Sequence, residues 1–164
     1  MSKSNKMKYI INQKVFSLTD RFSIKDEFEN DRFFVNAKLF TVGKKIHLED
    51  VNGNQLFYIE QKYFKILPVY EIFKGGQLYA VLKKKLSFLK PKIEIDQNGT
   101  PFYIAGDKWS HEFTIMRGDT LVASISKKWF AFSDTYGVDI VSGENEAFII
   151  ALVICIDQII YDKN

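Results

Sequence analysis

The residues in this chain best suited to chemistry are lysines. KKKLSFLKPK, at residues 83–92, sets Lys83, Lys84, Lys85, Lys90 and Lys92 around Leu86, Phe88 and Leu89. Clustered ammonium groups gain roughly 1 kcal/mol each beside an anionic bilayer, and neighbouring apolar side chains can enter its interface. Lysine lacks the planar fork with which arginine takes phosphate bidentately, so the pattern points to charge attraction rather than a shaped headgroup pocket. The cluster belongs to a wider basic stretch, residues 62–92, with eight lysines against one acid, Glu71, in a chain of net charge +3. Such asymmetry points to an anionic partner, with an unspecific solubilising face as the alternative. Lys127 and Lys128, beside Trp129, Phe130 and Phe132, form a smaller accessory combination of the same kind.

Other reactive residue types are present without the spacing that chemistry needs. His47 and His111 have no Cys, His or carboxylate at metal-ligand spacing,. There is no Gly-x-Ser-x-Gly elbow, phosphate loop or Gly-x-Gly-x-x-Gly, and Ser133-Asp134 has no histidine near it in sequence,. Cys155 lies within an apolar run and reads as a small buried hydrophobe, since reactive thiols need exposure and positive neighbours. Asp157 follows that run directly. It is expected at the mouth of the fold, in water or accepting backbone hydrogen bonds, with membership of a small site at that mouth as the alternative. The chain is therefore expected to be no enzyme and to carry no cofactor or metal. A pI near 8.8, with no recognition motif, argues against a nucleic-acid partner.

The elements that must position these residues are mostly strands. Apolar content of 46% and charged content of 26% over 164 residues describe one globular domain,. The 15 Phe and 8 Tyr favour strands,. Turn residues recur between runs of Ile, Val, Phe and Tyr: around 27–31, then Asp50-Val-Asn-Gly53, Lys74-Gly-Gly76, Asp96-Gln-Asn-Gly99 and Arg117-Gly-Asp119. Asn-Gly and Gly-Gly tolerate the positive φ of tight hairpin turns, so five consecutive hairpins are predicted. They also repeat. IFKGGQLYAVLKKKL (72–86) matches IMRGDTLVASISKKW (115–129), and DVNGNQLFYI (50–59) matches DQNGTPFYI (96–104) with one residue deleted. One further strand at 9–16 and another at 136–141 bring the predicted total to twelve.

The apolar stretch NEAFIIALVICIDQII (145–160) then begins, with Ser142 and Gly143 as a plausible start and Glu144 and Glu146 in the first turn,. A membrane-spanning helix needs about 20 apolar residues, and Asp157 and Gln158 interrupt this run too early. Its apolar side chains cover every azimuth, so it must be surrounded on all sides. Twelve strands can close around a helix, whereas eight leave room only for their own side chains. The fold class is thus all-β with one C-terminal helix: a closed twelve-stranded antiparallel barrel around a central hydrophobic α-helix.

SKKWFAFSDTYGVDI (126–140), the helix ending CIDQII, YIINQKVFSLTDRFSIKD near the start and the DVNGNQLFYIEQK hairpin together resemble the LURP-one-related family, over roughly residues 7–161. The resemblance implies the tubby C-terminal-like fold, a twelve-stranded barrel around its C-terminal helix, which phospholipid scramblases are thought to share. It also implies phosphoinositide binding through a basic surface, although no tubby lipid-site motif matches residue by residue. A disordered extension at 1–7 and a domain at 8–162 are expected. The function expected is a non-enzymatic module for anionic phospholipid, using Lys83, Lys84, Lys85, Lys90 and Lys92. A protein-interaction scaffold is the alternative. The polar start, MSKSNK, and the single cysteine point to the cytoplasm, peripheral to the inner membrane surface, with no transmembrane segment,.

Overall fold

All five predicted turns close hairpins in the computed structural model, which describes residues 5–12, 21–38, 42–62, 66–87, 92–127 and 135–161. Among the described residues twelve strands form: β1 (Lys6–Asn12), β2 (Arg21–Asp26), β3 (Asp31–Lys38), β4 (Lys45–Asp50), β5 (Gln55–Gln61), β6 (Val69–Lys74), β7 (Gln77–Lys85), β8 (Lys92–Gln97), β9 (Thr100–Asp107), β10 (Glu112–Arg117), β11 (Thr120–Ser126) and β12 (Thr135–Val141). Each pairs antiparallel with its sequence neighbour, and β1 pairs β12 from Lys6 opposite Val141 to Asn12 opposite Thr135, closing the barrel. The first strand starts earlier than the predicted 9–16. Lys6 and Met7, expected in a disordered extension, already pair within the sheet.

The internal repeat is structural. In β6–β7 the ladder passes from Ile72 opposite Ala80 to Phe73 opposite Leu78, which leaves Tyr79 as a bulge. In β10–β11 Ile115 faces Ala123 and Met116 faces Leu121, so the bulge falls on Val122, the equivalent position. The deletion between the other two matched hairpins also has a physical counterpart. The β4–β5 ladder bulges at Leu56, whereas β8–β9 runs without a shift from Ile95 opposite Phe102 to Gln97 opposite Thr100. Losing one residue and losing the bulge together keep the inward Phe opposite an inward aliphatic residue, because a one-residue slip would reverse the faces.

Helix α1 (Glu146–Tyr161) fills the barrel. Its start is Asn145, not Ser142 or Gly143: the Asn145 Oδ1 accepts the Phe148 N–H at 3.0 Å,. Every residue from 148 to 159 is buried, so the helix that is apolar all round is enclosed all round. Inward residues of all twelve strands belong to one hydrophobic core with it, among them Leu48, Ile59, Ile72, Leu82, Ile115 and Val138. Phe148 packs its ring against Phe57, Tyr79 and Phe102 from three strands. Among the described residues no helix is long and apolar enough to cross a membrane.

Antiparallel order sends successive connections to opposite ends. The short turns after β2, β4, β6, β8 and β10, and the β12–α1 connection, share the end where the helix enters. The connections after β1, β3, β5, β7, β9 and β11 share the far end, toward which the helix runs.

Candidate functional site

Two polar arrangements hold the helix in place. At its entry, Arg117 from the β10–β11 turn donates both guanidinium arms to Glu144, at 2.7 and 2.8 Å, and Tyr9 of β1 donates its hydroxyl to Glu146. Burial, reinforced by that carboxylate, pushes the Tyr9 phenol up,. A cleft of about 560 Å³ opens beside this entry, lined by Asp31, Arg32, Asp50, Glu144 and Glu146 among others. Its carboxylates are engaged: Glu144 and Glu146 as above, Asp50 by Asn52 and Asn54, and Asp31 by Lys25 at 4.0 Å.

Toward the far end, Asp157 is buried, not at an open mouth. One carboxylate oxygen lies 2.7 Å from His111 Nε2 and the other accepts the Tyr136 hydroxyl. His111 follows the short 3-10 turn Lys108–Ser110 in left-handed conformation, φ 56°, and stacks on Tyr136 with centroids 4.5 Å apart. These are side-chain partners, not the backbone donors expected. Sequence reasoning missed the pairing of His111 with Asp157 because 46 residues separate them. Cys155, two residues before Asp157, is buried as expected, and burial pushes its thiol up,. Among the described residues no group of three or more His, Cys, Asp or Glu is placed to hold a metal ion.

The lysines predicted as one cluster are divided by the strand that carries them. Side chains alternate along β7: Lys83 and Lys85 are exposed, whereas Lys84 shares the inward face of Ala80 and Leu82 and is half-buried. Lys83 stands opposite Glu94 and Lys85 opposite Lys92 across the β7–β8 ladder, with the Lys85 ammonium 3.5 Å from Glu94. Lys127 is half-buried just beyond β11, its N–H donating to Glu112 at 2.9 Å. Lys90 and Lys128 lie outside the described residues, as do Phe88, Leu89, Trp129, Phe130, Phe132, Ser133 and Asp134. Lys74, part of the same basic stretch in sequence, is at the opposite end, over the rings of Phe57 and Tyr79.

What the barrel assembles is a different grouping. Described residues in and bordering the far-end connections supply nine cations: Arg21, Lys38, Lys44, Lys45, Lys62, Lys85, Lys92, Lys108 and Lys127, against the acids Asp107 and Glu112. The helix-entry connections, residues 26–31, 50–55, 74–77, 96–100, 117–120 and 141–146, hold nine acids against Lys74 and Arg117. The molecule is thus charged oppositely at its two ends, with the helix lying between them.

The LURP-one-related family pattern matches residues 7–157. The chain belongs to the LURP-one-related family. One relative is the uncharacterised protein YxjI of Bacillus subtilis, 35% identical over 150 residues, which are 92% of this chain and 91% of that protein. An X-ray structure of an Arabidopsis thaliana protein shares the fold, with a TM-score of 0.69 over 94% of this chain and 91% of its own, at 20% identity. The fold is therefore shared where few residues are.

Proposed function

We propose that this LURP-one-related barrel is a non-enzymatic binding module that docks on anionic phospholipid, on the cytoplasmic face of a membrane, through its far, basic end. The observation that carries the reading is the segregation of charge. Among the described residues, nine cations against two acids at one end, and nine acids against two cations at the other, give a field that attracts an anionic surface to one face and turns the other away. The docking surface is the assembled rim, with Lys44, Lys45, Lys85 and Lys92 in place of the contiguous run at 83–92. Lys62 contributes less, because Glu71 sits 3.0 Å from its ammonium, closer than the 3.5 Å between Lys85 and the more exposed Glu94. Lysines rather than arginines suit attraction to many headgroups over recognition of one.

The test is flotation of the purified protein on phosphatidylcholine vesicles with and without phosphatidylserine, across a salt series, beside a variant with Lys44, Lys45, Lys85 and Lys92 changed to Ser. Binding only to the anionic vesicles is expected, weakening as salt rises. At roughly 1 kcal/mol per lysine the variant loses two orders of magnitude or more in affinity. Equal flotation of both proteins, or none by either, overturns the reading and leaves a protein-interaction scaffold.

A further inference from the structure

Three large apolar side chains stand exposed at the basic end. Val42 lies between β3 and β4, Ile66 between β5 and β6, and Leu86 between β7 and β8, with 71%, 95% and 80% of their surface accessible. Such exposure exceeds that of any aliphatic residue in the described strands, although single isolated cases are ordinary,. These three are not isolated from one another. They occupy three successive connections at the same end, each displaced by two strands from the last. At about 4.8 Å per strand, they mark out an arc of roughly 20 Å along the rim.

Each is flanked by cations: Lys44 and Lys45 follow Val42, Lys62 precedes Ile66, and Lys85 precedes Leu86, with Lys92 opposite Lys85 in the ladder. An apolar tip ringed by lysines has two affinities at once, for hydrocarbon and for anionic headgroups, and an anionic bilayer offers both within a few ångströms of depth. The most exposed apolar residue at the opposite end has no such setting. Phe28, at 75% accessible, projects from the turn that holds Asp26, Glu27, Glu29 and Asp31, where an anionic surface is repelled.

Resting on the reading of the basic end as a lipid-docking face, we propose that Val42, Ile66 and Leu86 form a three-point wedge that enters the interfacial layer of an anionic bilayer. Lysines bring the barrel to the surface, and the wedge then fixes its pose. The helix-entry end points away from the membrane, and the barrel axis stands close to the membrane normal. Charge attraction weakens with salt, whereas apolar insertion does not. Bound protein should therefore retain a salt-resistant fraction that the wedge supplies.

Cys155 makes the experiment direct, because a fully buried thiol whose ionisation is suppressed by burial leaves an introduced surface cysteine as the reactive one,. The environment-sensitive fluorophore NBD is attached separately at Val42→Cys, Ile66→Cys, Leu86→Cys and, as the control at the other end, Phe28→Cys. Each labelled protein is mixed with phosphatidylserine–phosphatidylcholine vesicles and with phosphatidylcholine vesicles, and flotation is recorded on the same samples. The expected result is a blue shift and severalfold brightening at 42, 66 and 86 with the anionic vesicles only, and no change at 28. In unlabelled protein, Ile66→Ser should weaken anionic-vesicle binding about tenfold, the loss for withdrawing one large aliphatic side chain from an apolar phase, and should remove most binding that persists at high salt. Flotation without any change at 42, 66 and 86, or with a change at 28, overturns the wedge while the charge reading stands. Absence of flotation for wild-type protein overturns both.

Discussion

At the scale of single residues, the demanding feature is the buried contact of Asp157 with His111 and Tyr136. A carboxylate enclosed near the C-terminal end of a helix opposes the helix dipole and has lost its water. It is tolerable only because both oxygens are partnered,. Removing it would take from a buried imidazole and a buried phenol the carboxylate that both contact. Asp157→Ala should therefore cost about 3–5 kcal/mol, read as a fall in the urea midpoint. Tyr136→Phe, which deletes one hydroxyl and leaves the His111 contact, should cost about 1–2 kcal/mol. Equal costs for the two would mean that the histidine contact contributes nothing. The helix itself was legible from composition and length, and so was the burial of Cys155. The partner of Asp157 was not, since nothing local in a sequence joins a helix to a loop 46 residues away.

At the scale of elements, two of the hairpins at the helix-entry end use one turn with different residues. Asp26 accepts N–H groups from Phe28 and Asn30, and Asp50 accepts them from Asn52 and Asn54, with the Asn side chain returning to the same carboxylate in each. Both read Asp-x-x-x-Asn in sequence, a signal that fixes the turn through its side chain. The fourth position is left-handed in both, but it is Gly53 in one and Glu29 in the other, at φ 83° and 64°. A side chain there costs about 1 kcal/mol or somewhat more. Glu29→Gly should raise stability by up to about 1 kcal/mol, offset in part by the greater freedom of glycine in the unfolded chain. A urea series on the two proteins decides it, and a lower midpoint for the variant would show that Glu29 makes a compensating contact. Hairpin signals and the internal repeat gave away the elements. They did so even in detail, because the deleted residue between the matched hairpins corresponds to a missing bulge.

At the scale of the whole molecule, position along the barrel axis matters more than net charge. The contiguous lysines at 83–92 border the basic end but are not its whole membership. Alternation turns Lys84 inward, and barrel closure brings in Lys38, Lys44 and Lys45 from another hairpin. A rule available in the sequence would have found them: alternate connections of a meander share an end, and here one set carries the acids and the other the lysines. The two ends are separated by the length of strands of six to nine residues, about 20–30 Å at 3.3 Å per residue. That is several times the Debye length of about 8 Å at physiological ionic strength. A charge at one end is consequently almost invisible to a surface touching the other. Lys74→Gln and Lys85→Gln lower the net charge of the chain equally, yet they act on opposite ends. If the basic end docks, Lys85→Gln should weaken anionic-vesicle binding about fivefold, the equivalent of roughly 1 kcal/mol, and Lys74→Gln should leave it within about twofold. Titration of each variant at physiological salt distinguishes the cases. Equal losses would mean that the protein is held by its overall charge, in no fixed orientation, and neither the basic rim nor the wedge would then describe how it binds.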